Sequence, residues 1–275
     1  MKKRFAAFMS TVLAAVLCAC SAAPKDVLPN KAAQPTEAPT QQAKTTQAAP
    51  TEQPTPEPDP VQQLLEEMTL EQKVGQLFLV RPDSLDLSQT QDQINDAKAD
   101  GVTELTDAMR QTLAEYPVGG VVIFGKNLES PQQITQFLED LQQASDTPLF
   151  TAIDEEGGLV ARLANNAAFD LPQYESAAAV GTSGNPEDAR AMGRTIGGYL
   201  KEYGFNLDFA PVADVNTNPD NPVIGTRAFS SEPQTAADLV GGACAGFAGA
   251  GIACTLKHFP GHGDTSEDTH IGTVT

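Results

Sequence analysis

From Val61 onward, short apolar runs alternate with longer stretches whose apolar residues recur at helical spacing. Leu64, Leu65, Met68, Val74 and Leu77 mark a helical stretch, and Thr69-Leu70-Glu71-Gln72 within it reads as a capping-box restart. The run Leu77–Val80 predicts a strand, and Arg81–Tyr116 a long polar connection that is partly helical. Gly119–Phe124 predicts a second strand. Ser130-Pro131 then opens a helix with Ile134, Phe137, Leu138 and Leu141 on one face. Leu149–Ile153, Leu207–Val212 and Ile252–Leu256 complete five predicted strands. Between them lie helices from Pro186 to about Tyr203 and from Pro233 to Ala250. Continuous apolar strands alternating with helices predict an α/β fold with a parallel sheet covered on both faces.

Polar residues collect directly after these strands, at Lys126-Asn127, Asp154-Glu155-Glu156, Asp214 with Asn216, and Lys257-His258. A (β/α)8 barrel and an open doubly wound sheet both place their sites there, so position alone leaves both open. Neither a Gly-x-Gly-x-x-Gly turn nor a phosphate-cradling loop follows any predicted strand, which argues against a nucleotide cofactor.

The front of the chain is of another kind. Lys2-Lys3-Arg4 precedes the uncharged, mostly apolar stretch Phe5–Leu17, the pattern of an export signal. It ends in Leu17-Cys18-Ala19-Cys20, which resembles a bacterial lipobox with cleavage before Cys20. Residues 1–20 are therefore expected to be a lipoprotein signal, with Cys20 lipidated and the membrane reached through that anchor. Residues 21–60 are rich in Pro, Ala, Thr and Gln and contain no aromatic residue. Such a tract cannot offset its chain entropy by burial and reads as a disordered linker. Residues 61–275 remain for one globular domain, expected outside the cytoplasm.

Charge narrows the partners. The chain carries 36 Asp+Glu against 17 Lys+Arg, a formal net charge of −19, which opposes binding to nucleic acid or anionic lipid. Cys244 and Cys254 sit in apolar stretches and read as two buried free thiols.

All three histidines lie at the C-terminal end, in Lys257-His258-Phe259-Pro260-Gly261-His262-Gly263-Asp264 and Asp268-Thr269-His270. Histidine titrates near neutrality and suits acid/base work. His258 and His262 have the i, i+4 spacing of helical metal ligands, but Pro260 and Gly261 oppose a helix and no third ligand stands out, so no metal is expected. His262 is expected to shape the loop through its ring nitrogens, and Gly157-Gly158 to supply positive φ or close backbone approach.

These strings resemble a known family. Leu65–Gln76 is similar to the opening of a glycoside hydrolase family 3 catalytic domain, and Asp154–Gly158 with Arg162 resembles its sugar-binding loop. Asn221–Phe229 resembles its arginine-bearing segment, and Lys257–Gly263 is the most family-specific match. Asp268-Thr269-His270 is similar to the Asp-Ser-His signature of the β-N-acetylglucosaminidase branch. The resemblance implies a TIM-type barrel and a retaining hydrolase that needs no cofactor. It implies His270 as acid/base with Asp268 orienting it, and Asp154, Arg162, Arg227, Lys257 and His258 holding an N-acetylglucosamine-containing glycan.

Leu159 and Ala161 depart from the family's usual polar residues in the sugar loop. About five of the eight strands of a barrel are predicted before Thr275, so the chain is expected to be the N-terminal portion of the domain, without the nucleophilic aspartate. Two rival expectations are a β-glucosidase of the same family and a lipid-anchored carbohydrate-binding or inactive remnant.

Overall fold

The computed structural model describes residues 59–270. The expected signal, the Cys20 anchor and nearly all of the linker lie outside the described residues.

Asp59 caps the first helix, accepting from Val61 N at 2.9 Å, and Pro60 occupies the first turn of α1 (Pro60–Glu67). The expected restart is present. Thr69 Oγ1 accepts from Gln72 N at 3.2 Å while Gln72 Oε1 accepts from Thr69 N at 2.8 Å, opening α2 (Leu70–Gly75). β1 (Leu79–Val80) is followed by α3 (Gln91–Asn95) and α4 (Asp107–Glu115), then β2 (Gly120–Ile123) and α5 (Pro131–Ala144). In α5 Ser130 caps, Pro131 fills the first turn, and Ile134, Phe137, Leu138 and Leu141 are buried. β3 (Phe150–Ile153) runs without a loop into the hairpin β4 (Glu155–Gly157) and β5 (Val160–Ala161). After α6 (Ala177–Gly181) come α7 (Pro186–Glu202), β6 (Leu207–Asp208), α8 (Pro233–Ala250) and β7 (Ala253–Cys254).

The main sheet has the order β1-β2-β3-β6-β7 with every pair parallel. Neighbours in space are successive in sequence, with no reversal of order. That is barrel winding and excludes the doubly wound alternative. The five strands form an unclosed part of a TIM-type barrel wall. Its core joins sheet residues Val121, Ile123 and Ile153 to Ile134, Phe137 and Leu141 of α5, Ile196 and Leu200 of α7, and Leu239 and Phe247 of α8. Backbones approach closely between α7 and α8, where a Cβ on Gly193 would strike the carbonyl of Ala243.

Three expectations need correction. The strands paired by ladder bonds are shorter than the apolar runs, β6 above all: Pro211 has no N–H to offer, and only an isolated bridge joins Val212 to Lys257. Lys126 and Asn127 do not serve a site. Both bind the buried Asp83, at 3.3 and 3.1 Å, and Asn127 also donates to Val102 O at 2.9 Å, pinning the long 81–116 connection. The two cysteines are free but only half-buried.

Candidate active site

The site is built at the carboxyl ends of β3, β6 and β7. Because β4 continues β3 directly, side chains alternate in direction. Asp154 and Glu156 face a cleft of about 600 Å³, while Glu155 between them is fully buried. Glu155 accepts from Leu163 N at 2.8 Å, Ala164 N at 2.9 Å and Tyr199 Oη at 2.8 Å, which fastens the hairpin to the barrel. Burial pushes its carboxyl upward, partly offset by those donors. Gly157 and Gly158 turn the hairpin with φ of 81° and 78°. A Cβ on Gly158 would also crowd the backbone at Ser176.

Lys257 leaves the end of β7 and reaches both acids, with Nζ 2.7 Å from Asp154 Oδ1 and 2.6 Å from Glu156 Oε1. Arg227, from the turn at Gly225–Arg227, grips Glu156 with two bonds, Nε to Oε2 at 2.8 Å and Nη2 to Oε1 at 2.7 Å. That fork raises the Arg227 pKa, with burial opposing it. Arg162 is the looser cation: its nearest carboxylate is Asp154 at 3.8 Å, neither Glu155 nor Glu156, and its guanidinium lies over the Phe124 ring at 5.8 Å.

Arg227 Nη2 also lies 3.2 Å from His258 Nε2. A guanidinium only donates, so Nε2 accepts and the ring proton sits on Nδ1. That Nδ1 donates to Asp214 Oδ2 at 2.6 Å, while Asp214 Oδ1 takes the backbone N–H of His262 at 2.6 Å. Burial pushes the Asp214 carboxyl upward, but the donors from His258 and His262 outweigh it and hold the group below its ordinary value. Asp214 was a strand-end aspartate without an assigned role in the sequence; here it clamps the Lys257–Gly263 loop.

The dyad stands on a separate, exposed loop. His270 donates to Asp268 Oδ1 from its backbone N at 2.8 Å and from Nδ1 at 2.6 Å. Those bonds, the backbone one first, hold Asp268 below its ordinary value. With Nδ1 so engaged, Nε2 is the ring nitrogen of His270 left for chemistry. The His270 side chain is 79% exposed, whereas Lys257 is 14% and Glu156 3% exposed. A buried polar floor therefore meets an exposed histidine on the rim of the cleft. Asp154, Arg162, Arg227, Lys257, His258 and His270 all line this one cleft, and Asp268 touches it through His270.

Several contributors escape sequence reasoning. Asn221 binds the carbonyl of His262 with Nδ2 at 2.7 Å and takes Val223 N and Ile224 N on Oδ1, tying the arginine segment to the histidine loop. Phe209 and Val223 supply apolar wall. Among the described residues, no group of three or more His, Cys, Asp and Glu is placed to hold a metal ion.

Barrel winding brings a floor of charge pairs and a histidine–aspartate dyad together at the carboxyl ends of the strands. The family described as "Glycosyl hydrolase family 3 N terminal domain" matches residues 69–275, and the chain belongs to it. Beta-hexosaminidase A of Pseudoalteromonas piscicida is 38% identical over 176 residues, which are 62% of this chain and 29% of that protein. The solved glycoside hydrolase family 3 beta-N-acetylglucosaminidase of Paenibacillus sp. FPU-7 superposes with a TM-score of 0.63 at 38% identity, over 74% of this chain and 35% of that one. NagZ of Neisseria gonorrhoeae, solved with N-trifluoroacetyl-D-glucosamine, superposes with a TM-score of 0.57 at 27% identity, over 63% and 52%. The chain thus spans between about a third and a half of the length of these relatives.

Proposed function

We propose that the chain supplies the sugar-binding floor and the acid/base dyad of a retaining β-N-acetylhexosaminidase that removes terminal β-linked N-acetylglucosamine from cell-wall or other glycan fragments. One observation carries the proposal: a cleft whose floor is the Asp154–Lys257–Glu156–Arg227–His258 chain has His270, backed by Asp268, on its rim. Such a floor offers a sugar both acceptors and donors with charge-assisted strength. His270 Nε2 protonates the leaving oxygen and then takes a proton from the attacking water, with Asp268 stabilising the imidazolium.

The nucleophile of this proposal is none of Asp154, Glu156 and Asp214, because each is committed to a cation or to a histidine N–H. The relative solved with an N-acylated glucosamine supports the choice of sugar. The proposal extends to location: the basic, apolar and lipobox-like residues ahead of Cys20 support a lipid-anchored extracytoplasmic protein, tethered through residues 21–60.

The test is the full-length gene product with His270→Ala, assayed on aryl β-N-acetylglucosaminide and aryl β-glucoside. Loss of turnover with sugar binding retained is expected. Unchanged turnover rejects His270 as acid/base, and a preference for the glucoside in the unsubstituted protein rejects the hexosaminidase assignment.

A further inference from the structure

His262 lies where the floor of the cleft meets the loop carrying the dyad. Its main chain is fixed from two sides: the N–H donates to Asp214 Oδ1 at 2.6 Å, and the carbonyl accepts from Asn221 Nδ2 at 2.7 Å. The residue is buried, and both ring nitrogens are engaged. Nδ1 meets Thr265 Oγ1 at 2.5 Å and Nε2 meets Thr269 Oγ1 at 3.1 Å. Each hydroxyl can donate or accept, so the arrangement holds in either neutral tautomer. A ring held at both nitrogens has its plane fixed and confines Thr269 in distance and direction.

Thr269 stands between Asp268 and His270. The first residues of the loop have other ties, Asp264 to Thr217 Oγ1 at 2.7 Å and the carbonyl of Thr265 to Asn218 Nδ2 at 3.1 Å. Among the described residues, the hydrogen bond between Thr269 and His262 is the one that joins the stretch 266–270 to the body of the domain. The bonds of Asp268 to His270 are internal to that stretch.

We propose that His262 is the positioning residue of the dyad, its Nε2 contact with Thr269 Oγ1 acting as a latch that sets where His270 stands over the sugar. The catalytic consequence rests on the glycosidase reading above; the latch itself does not. Asp214 extends the arrangement, since its other oxygen holds His258 and through it Arg227. One carboxylate thus references both the sugar floor and the dyad loop. A single neutral hydrogen bond can break and re-form within a turnover, as a loop that admits substrate and releases product requires.

Thr269 is exposed, so Thr269→Val removes the hydroxyl at constant shape without touching the core, and Thr269→Ser restores it. Amide hydrogen exchange across 264–270 is measured alongside kcat and KM on an aryl β-N-acetylglucosaminide in the full-length gene product. The valine variant is expected to speed exchange at 266–270 and to lower kcat by about tenfold to a hundredfold with KM little changed. Serine is expected to recover both. Wild-type exchange in the valine variant, or equal loss in valine and serine variants, overturns the latch. Absence of turnover in the unsubstituted protein rejects the glycosidase reading instead, and exchange alone then decides the latch.

Discussion

His258 is held as a hydrogen-bond acceptor by Arg227, whose Nη2 stands 3.2 Å from the ring's Nε2. This fixes the proton on Nδ1 and gives Asp214 its donor at 2.6 Å. With three histidines in the whole chain, nitrogen NMR of the rings can resolve this one. The expected pattern is protonated Nδ1 and bare Nε2 at His258, and Nδ1 stays protonated in Arg227→Met because the Asp214 carboxylate still needs a donor. A protonated Nε2 in the unsubstituted protein contradicts the assignment.

Arg227→Lys keeps the charge and loses the fork. A lysine ammonium cannot occupy both oxygens of Glu156 and donate to His258 from one plane. Because Glu156 is nearly fully buried, the lost charge-assisted bonds are expected to cost about 1.5–3 kcal/mol of stability. Lys257, still 2.6 Å from Glu156, keeps the acid from being stranded. Urea unfolding measures the loss, and an unchanged midpoint would mean that the fork to Glu156 does not hold this segment.

Asp208 offers a test of stability. Its Oδ1 accepts from Glu155 N at 2.9 Å, its Oδ2 is buried without a partner, and burial pushes the carboxyl well above its usual 3.8. A carboxyl raised on folding binds its proton more tightly in the folded state. Its stabilising effect is complete below the unfolded value and declines as pH rises toward the folded one. Asp208→Asn keeps the acceptor for Glu155 and removes the charge. Denaturation at about pH 4 and about pH 7 should show a more stable variant at the higher pH and a flatter dependence between the two. A variant less stable at neutral pH would refute this account.

Gly263 explains the last glycine of the histidine loop. A Cβ there would collide with the carbonyl of Val215. Gly263→Ala is therefore expected to destabilise the domain by about 1–3 kcal/mol. Urea unfolding gives the value, and an unchanged midpoint would mean that the loop yields freely.

Local signals carried much of the fold. Ser130-Pro131 with its apolar face, the Thr69–Gln72 cap and the helix from Pro233 to Ala250 stand where periodicity and capping place them. The hairpin after β3 was not legible. Glu155-Glu156-Gly157 has poor strand propensity, and it pairs because Leu163, Ala164 and Tyr199 satisfy a buried acid from afar. The same limit applies to the site. The strings around Lys257 and His270 are conspicuous in the sequence, whereas Asn221 and Thr269 acquire meaning only once their partners at His262 are brought within bonding distance.

The hairpin also separates what must stay from what can vary. Asp154, Glu156 and Arg162 lie on its stem, close to the paired cations, and Glu155 roots that stem in the barrel. Leu159 at the tip is 76% exposed, and the side-chain tie to the tip falls on the backbone carbonyls of Gly158 and Leu159, through Asn165. Mutations at that side chain leave the root and the charge pairs intact, so a lineage can drift through many tip residues, each recasting the approach to the cleft, without first losing a folded domain.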